Sequence, residues 1–120
     1  MNKRTVVIGA SENPERYSYL AVNKLTSQQH AVIAIGITAG RIGTTPIITN
    51  MPIIEGVDTV TLYLNPTNQK GYYNYILSLH PKRIIFNPGS ENNELYKLAI
   101  GNNIQPMNAC TLVLLSTGQY

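Results

Sequence analysis

Short runs of β-branched and aliphatic residues alternate along the chain with longer segments of helical periodicity. Val6, Val7 and Ile8 form the first unbroken apolar run, which is typical of a strand buried on both faces of a parallel sheet. The same criteria predict five strands, at residues 5–8, 31–35, 58–64, 83–86 and 104–107. Apolar residues at helical spacing predict three helices, at residues 17–28, 67–79 and 91–100.

Three segments show neither the pattern of a strand nor that of a helix. Residues 36–45 contain three glycines and are predicted to be a long loop, and loops of that size in compact domains are uncommon unless they are functional. Residues 46–54 are predicted to be a short extended segment, since Pro46 and Pro52 oppose a helix. The apolar residues 109–120 are expected to fold back over the sheet.

This alternation of strands and helices predicts an α/β fold of one domain, residues 1–120. Right-handed crossovers then give a Rossmann-like, doubly wound and mainly parallel five-stranded sheet with helices on both faces. Ligands of such sheets bind at the carboxyl ends of the strands, near the point where the strand order reverses. Turns rich in Gly, Pro, Asn and Ser follow most of the predicted strands.

The turn after the first strand has the features of a phosphate-binding turn. Gly9 allows close approach of a ligand, and Ala10 and Ser11 keep the turn small. Asn13 suits the N-cap of the following helix and Pro14 its first position. A strand, a small turn and a helix N-terminus together present free backbone N–H groups to a phosphate.

Composition narrows the class of protein further. A single cysteine among 120 residues excludes an internal disulfide framework and indicates a reducing cytoplasm. The nine Lys and Arg residues are scattered, so the net charge of +3 does not favour a nucleic-acid partner. No apolar run approaches the roughly 20 residues needed to span a bilayer, so no membrane association is expected.

The reactive side chains do not suggest catalysis. Cys110 is expected at the ligand-binding edge of the sheet, whereas His30 and His80 precede strands and belong to the opposite edge. A Cys/His nucleophile needs both groups within hydrogen-bond reach. The acidic residues are not spaced with the histidines as metal ligands. The sequence therefore favours a binding protein over an enzyme.

The end of the second predicted strand discriminates among nucleotide ligands. An NAD site has an acidic residue there to hold the ribose hydroxyls, but this chain has Ile35 and Gly36. Arg41, in the glycine-flanked segment just beyond, suits a ligand with an extra phosphate on its ribose. NADP and coenzyme A both carry such a phosphate.

Four segments together resemble a known family. They are residues 6–17, 57–66, 82–92 and 109–118, with the sequences VVIGASENPERY, VDTVTLYLNP, KRIIFNPGSEN and ACTLVLLSTG. The chain resembles the small single-domain CoA-binding proteins, which are similar in fold to the N-terminal domain of the succinyl-CoA synthetase α subunit. The resemblance implies a bound coenzyme A or acyl-CoA. It also implies that any synthetase activity would need a partner chain, because the phosphorylated histidine of the synthetase lies in another domain.

The resemblance and the strand-end turns together define the candidate binding residues. In the synthetase the CoA site is lined by the first-strand loop, a Gly-Lys-Gly-Gly loop after the second strand, and proline turns after the third and fourth. Here Arg41 replaces the lysine, and the segment from Ile35 to Thr38 replaces the Val-Asn-Pro type of turn that many small members of the family have after the second strand. The candidate residues are Gly9, Ala10, Ser11, Asn13, Arg16, Gly36, Gly40, Arg41, Gly43, Asn65, Pro66, Pro88, Gly89 and Ser90.

Two other functions are compatible with the residues alone. A small NADP-binding oxidoreductase would use Tyr17, Tyr19 or Tyr63 as a proton donor. A protein-interaction module that has lost its ligand would bind none. Some of the eight tyrosines are expected at the surface, where a second copy of the chain could pack, so a homodimer is compatible with the sequence.

Overall fold

The computed structural model describes residues 2–120 and contains one seven-stranded sheet. The strands are β1 (Thr5–Ile8), β2 (Val32–Ile35), β3 (Gly40–Ile42), β4 (Thr45–Ile48), β5 (Thr59–Leu62), β6 (Arg83–Phe86) and β7 (Gln105–Asn108). The helices are α1 (Tyr17–Ser27), α2 (Pro66–Gln69), a 3₁₀ turn (Lys70–Tyr72), α3 (Tyr73–Ser78), α4 (Asn93–Gly101) and α5 (Thr111–Ser116).

The sheet order is β3-β4-β2-β1-β5-β6-β7, and β3 with β4 is its one antiparallel pair. Without β3, the six parallel strands follow the chain order 3-2-1-4-5-6 of a Rossmann sheet. The predicted α/β class with a mainly parallel sheet is therefore confirmed.

The prediction of five strands is wrong, because residues 36–48 contribute β3 and β4. These strands form a hairpin in which Ile42 pairs with Thr45 across a two-residue turn. Gly43 opens that turn with φ of 59°, and a glycine in this position is a hairpin signal. Pro46 does not prevent pairing, since it precedes the two β4 residues that pair with β2.

Each face of the sheet carries its own hydrophobic core, as the period of two in a strand requires. Val6 and Ile8 of β1 lie in one core with α3 and α4, whereas Val7 lies in the other with α1 and α5. The helices thus cover both faces. Residues 109–120 contribute α5 to the second core, where Leu115 is buried.

Two predicted helices differ in detail. In α1 the buried stripe is Ser18, Ala21, Val22 and Leu25, while Leu20, an apolar residue of the same helix, is 43% exposed. Residues 66–78 form three short pieces, α2, the 3₁₀ turn and α3, where one continuous helix was expected. Gly71 lies in the 3₁₀ piece, in keeping with the low helix propensity of glycine.

Candidate functional site

The strand order reverses at β1, which has β2 on one side and β5 on the other. In doubly wound sheets a crevice opens outside the carboxyl ends of the strands at this place. A cleft of about 760 Å³ lies there in this protein, within the range of about 300–1,000 Å³ that is usual for ligand pockets.

The floor of the cleft is closely packed backbone. A Cβ atom on Gly9 would lie 3.0 Å from the carbonyl group of Tyr63, and Gly9 has φ of 96°. A Cβ atom on Gly36 would lie 2.4 Å from the carbonyl oxygen of Ala10. Only glycine therefore allows the ends of β1, β2 and β5 to approach this closely.

The amides of the first turn are only partly available to a ligand. Those of Gly9 and Ala10 both donate to the carbonyl oxygen of Ile35, at 2.9 and 3.0 Å, so they extend the pairing of β1 with β2. The hydroxyl of Ser11 accepts from the amide of Asn13 at 3.1 Å. The backbone amides of Gly9 and Ala10, which are expected to bind a phosphate, therefore already donate to another acceptor.

The first helix begins three residues later than Pro14, at Tyr17, with Arg16 as its N-cap. Asn13 does not cap the helix, because its side-chain oxygen accepts from the amide of Glu15 at 3.0 Å and forms a local turn. In residues 2–120 no side chain caps α1, and the first amides of a helix have no acceptor within it. Arg16, Tyr17 and Ser18 line the cleft, so this uncapped helix end borders the cavity.

The opposite wall is held by buried amide side chains. Gln69 is fully buried, and its Nε2 donates to the carbonyl oxygens of Leu64 at 2.8 Å and Ser90 at 2.7 Å. Its Oε1 accepts from Asn92 at 2.9 Å, and Asn92 caps α4. Gln69 therefore joins the turn after β5 to the turn after β6.

Tyr63 occupies the floor between the two walls. Its hydroxyl is buried and has no hydrogen-bond partner among the described residues. Burial raises the pKa of the Tyr63 hydroxyl, because a buried site disfavours the ionised phenolate.

The structure brings most of the predicted binding residues to this cleft. The predicted residues that line it are Gly9, Ala10, Ser11, Asn13, Arg16, Gly36, Asn65, Pro88, Gly89 and Ser90. The others, Gly40, Arg41, Gly43 and Pro66, lie outside its lining. Gly40 and Arg41 belong to β3, Gly43 to the hairpin turn, and Pro66 to the first position of α2.

Arg41 is connected to the cleft through Glu12. Its backbone amide donates to Oε2 of Glu12 at 2.9 Å, and its guanidinium lies 3.4 Å from the carbonyl oxygen of Thr44. A Cβ atom on Gly40 would lie 2.3 Å from the carboxyl carbon of Glu12. The carboxylate of Glu12, a cleft residue, thus lies directly against the β3 backbone.

The cysteine and the histidines lie at opposite edges of the sheet. Cys110 directly precedes α5, after the carboxyl end of β7. His30 precedes β2, where its Nδ1 accepts from the amide of Lys3 at 2.9 Å, and burial lowers its pKa. Within residues 2–120 no three His, Cys, Asp or Glu side chains are placed to hold a metal ion. None of the helices in this range is long and apolar enough to cross a membrane.

Sequence reasoning missed one residue that lines the cleft, Glu12, and two buried residues behind its lining, Gln69 and Asn87. Gln69 gave no signal, because a glutamine in a polar helix start is typical of a solvated face. Glu12 lies in the turn before a helix that begins only at Tyr17, and an acidic residue near a helix start is usually explained by the helix dipole. Asn87 is 2% exposed, and its amide group bonds Thr61, Leu62 and Thr111; its place in a strand-end Asn-Pro-Gly turn was the available signal.

Comparison with known families decides what kind of domain this is. The family described as the CoA binding domain matches residues 3–116. The chain belongs to that family. No curated protein matches the chain.

Several solved structures share this fold, and one of them is much more similar in sequence to this chain than two others are. A crystal structure of an uncharacterized protein is 51% identical, covers 100% of this chain and 99% of its own, and superposes with a TM-score of 0.97. A hypothetical protein from Pyrococcus horikoshii OT3 is 19% identical, with 97% and 83% coverage and a TM-score of 0.86. The cell-free ID.343 protein from Thermus thermophilus is 17% identical, with 99% and 91% coverage and a TM-score of 0.85. The last two share the fold with this CoA-binding domain.

Proposed function

We propose that this protein binds coenzyme A or an acyl-CoA in the cleft beside β1, and that it does so without catalysing a reaction on the ligand. Membership of the CoA-binding domain family supports the ligand class. The observation that carries the proposal is the uncapped N-terminus of α1, which borders the cleft at the strand-order reversal.

The diphosphate of the ligand would lie at the start of α1, near Ser11 and Arg16. Free amides and the helix dipole attract an anion there, by about 0.3–2 kcal/mol. Arg16 is exposed and can donate charge-assisted hydrogen bonds, which contribute roughly 1.5–3 kcal/mol. The amides of Gly9 and Ala10 donate to the carbonyl oxygen of Ile35 in β2 instead, so the proposed site is centred closer to the helix than the strand-turn pattern suggested.

The two ends of the ligand would extend along the two sides of the cleft. The adenosine half would lie toward Gly36 and the β3–β4 hairpin, because the ribose of a nucleotide in such sheets lies over the end of the second strand. The pantetheine arm would then pass Asn65 and the turn from Pro88 to Ser90, which line the other side. Given the cost of association, we expect a micromolar dissociation constant.

Calorimetric titration of the purified protein with coenzyme A tests this function. We expect micromolar binding by the wild type and an affinity lower by about tenfold in Arg16→Ala, since a charge-assisted hydrogen bond to Arg is worth about 1.5–3 kcal/mol. Lys97→Ala is the matched control, because Lys97 is exposed on α4 and lies outside the cleft lining. Absence of coenzyme A binding, or tighter binding of NADPH in a parallel titration, would overturn the proposal.

Arg41→Ala measures whether the hairpin contributes to the site. Arg41 contacts the cleft residue Glu12 through its backbone amide, and a unit charge about 4 Å from a phosphate is worth about 1 kcal/mol in water. We expect coenzyme A to bind about fivefold more weakly. An equal loss for dephospho-CoA would assign Arg41 to the diphosphate, and a loss confined to coenzyme A would assign it to the 3′-phosphate. Unchanged binding of both ligands would remove Arg41 from the site.

A further inference from the structure

Glu12 places a negative charge where the ribose of a bound nucleotide would lie. Its side chain crosses from the turn after β1 to the β3–β4 hairpin, where Oε2 accepts from the amide of Arg41 at 2.9 Å. The contact is close, since a Cβ atom on Gly40 would lie within 2.6 Å of three atoms of the Glu12 side chain. Gly40 therefore leaves the space that the carboxyl group fills.

The carboxylate lies on the β2 side of the strand-order reversal. β3 pairs with β4, and β4 pairs with the end of β2 at Ile35. In doubly wound sheets an acidic side chain at this place accepts hydrogen bonds from free ribose hydroxyls, whereas an arginine accommodates a phosphate on the ribose. In this chain the end of β2 has no acid of its own, and the carboxylate arrives from the first turn instead.

We propose that Glu12 is a specificity-determining residue that lowers the preference of the cleft for a ribose 3′-phosphate. This inference rests on the proposed function. A free 3′-hydroxyl donates to the Glu12 carboxylate, whereas a 3′-phosphate is repelled by it. The negative charge of Glu12 therefore makes the wild type bind dephospho-CoA at least as tightly as coenzyme A.

Glu12→Gln separates charge from structure. Glutamine has the same shape and retains an oxygen that can accept from the Arg41 amide, so the turn and the hairpin stay joined. Glu15→Gln is the matched control, because it removes the same charge from the same exposed turn but Glu15 lies outside the cleft lining.

The measurement is the ratio of the affinities for coenzyme A and dephospho-CoA, determined by calorimetry at one salt concentration. We expect Glu12→Gln to shift this ratio roughly fivefold toward coenzyme A, the effect of one unit charge at about 4 Å in water. The melting temperature should stay unchanged, and Glu15→Gln should leave the ratio as in the wild type. Raising the salt concentration should reduce the shift.

Each outcome has a separate meaning. If both ligands bind and Glu12→Gln leaves the ratio unchanged, or shifts it no more than Glu15→Gln, the role of Glu12 is overturned while the proposed function stands. A change in melting temperature without a change in ratio assigns Glu12 a structural role only. If neither ligand binds the wild type, the proposed function fails and this inference with it.

Discussion

Replacing Gln69 by leucine is expected to lower the free energy of unfolding by about 3 kcal/mol. Gln69 is fully buried and supplies the donors for the carbonyl oxygens of Leu64 and Ser90. Leucine fills much of the same volume but donates nothing, and a buried polar group left unpaired costs about 1–3 kcal/mol. Urea unfolding followed by circular dichroism measures the change.

Two further variants identify the cause of this loss. Gln69→Glu keeps the shape but replaces the donor with a carboxylate facing two carbonyl oxygens, so we expect a loss at least as large at neutral pH. Gln105→Leu is the control, because Gln105 is exposed on the edge strand β7. A loss below about 1 kcal/mol in Gln69→Leu would show that these hydrogen bonds contribute little.

The consequence for binding follows from the position of the two carbonyl groups. Leu64 and Ser90 both line the cleft, one after β5 and the other after β6. Without the bridge at Gln69 the two turns can separate, and a ligand must then order them on binding. We therefore expect weaker coenzyme A binding in Gln69→Leu even under conditions where the variant is fully folded.

Gly36→Ala is expected to disrupt both the fold near the cleft and ligand binding. The added Cβ atom would lie 2.4 Å from the carbonyl oxygen of Ala10 and 3.0 Å from Cγ2 of Ile47. Because the closest atom belongs to the backbone, the turn after β1 must move. Overpacking of this kind costs about 1–3 kcal/mol, and we expect coenzyme A to bind at least about tenfold more weakly.

Gly71→Ala provides the matched control for this substitution. A Cβ atom on Gly71 would meet nothing within 4 Å, and alanine has a higher helix propensity than glycine. We expect this variant to be as stable as the wild type or slightly more stable, with unchanged binding. If Gly36→Ala behaved in the same way, the close backbone packing beneath the cleft would have no functional importance.

The parallel strands of the sheet could be predicted because their signal is local. Apart from Arg83 at the start of β6, the strands β1, β5 and β6 consist of Val, Ile, Leu, Thr and Phe residues that are all buried, and such runs have few alternatives to a buried strand. The β3–β4 hairpin escaped prediction because Gly40 and Pro46 lie within its strands, which therefore form no unbroken β-branched run. The three glycines of residues 36–45 favour a loop when they are considered without the sheet.

At the start of the first helix, residues that favour a helix N-terminus form a turn instead. Asn and Pro at positions 13 and 14 favour both a helix start and a turn. The side chain of Asn13 accepts from the amide of Glu15, and its carbonyl accepts from Arg16, so the segment closes a turn before the helix begins. The same residues remain beside the cleft, but the free amides are shifted to the start of α1.

The sequence by itself determined the α/β class, the strand-end turns that meet at one edge of the sheet, and the resemblance to CoA-binding proteins that the family match bears out. Strand runs and strand-end turns are local patterns, and the geometry of parallel sheets converts them into one shared edge. Only the tertiary structure decided which groups meet across that edge. Gln69 with Ser90, Glu12 with Arg41, and Gly36 with Ala10 are contacts between residues distant in sequence, and no local period encodes them.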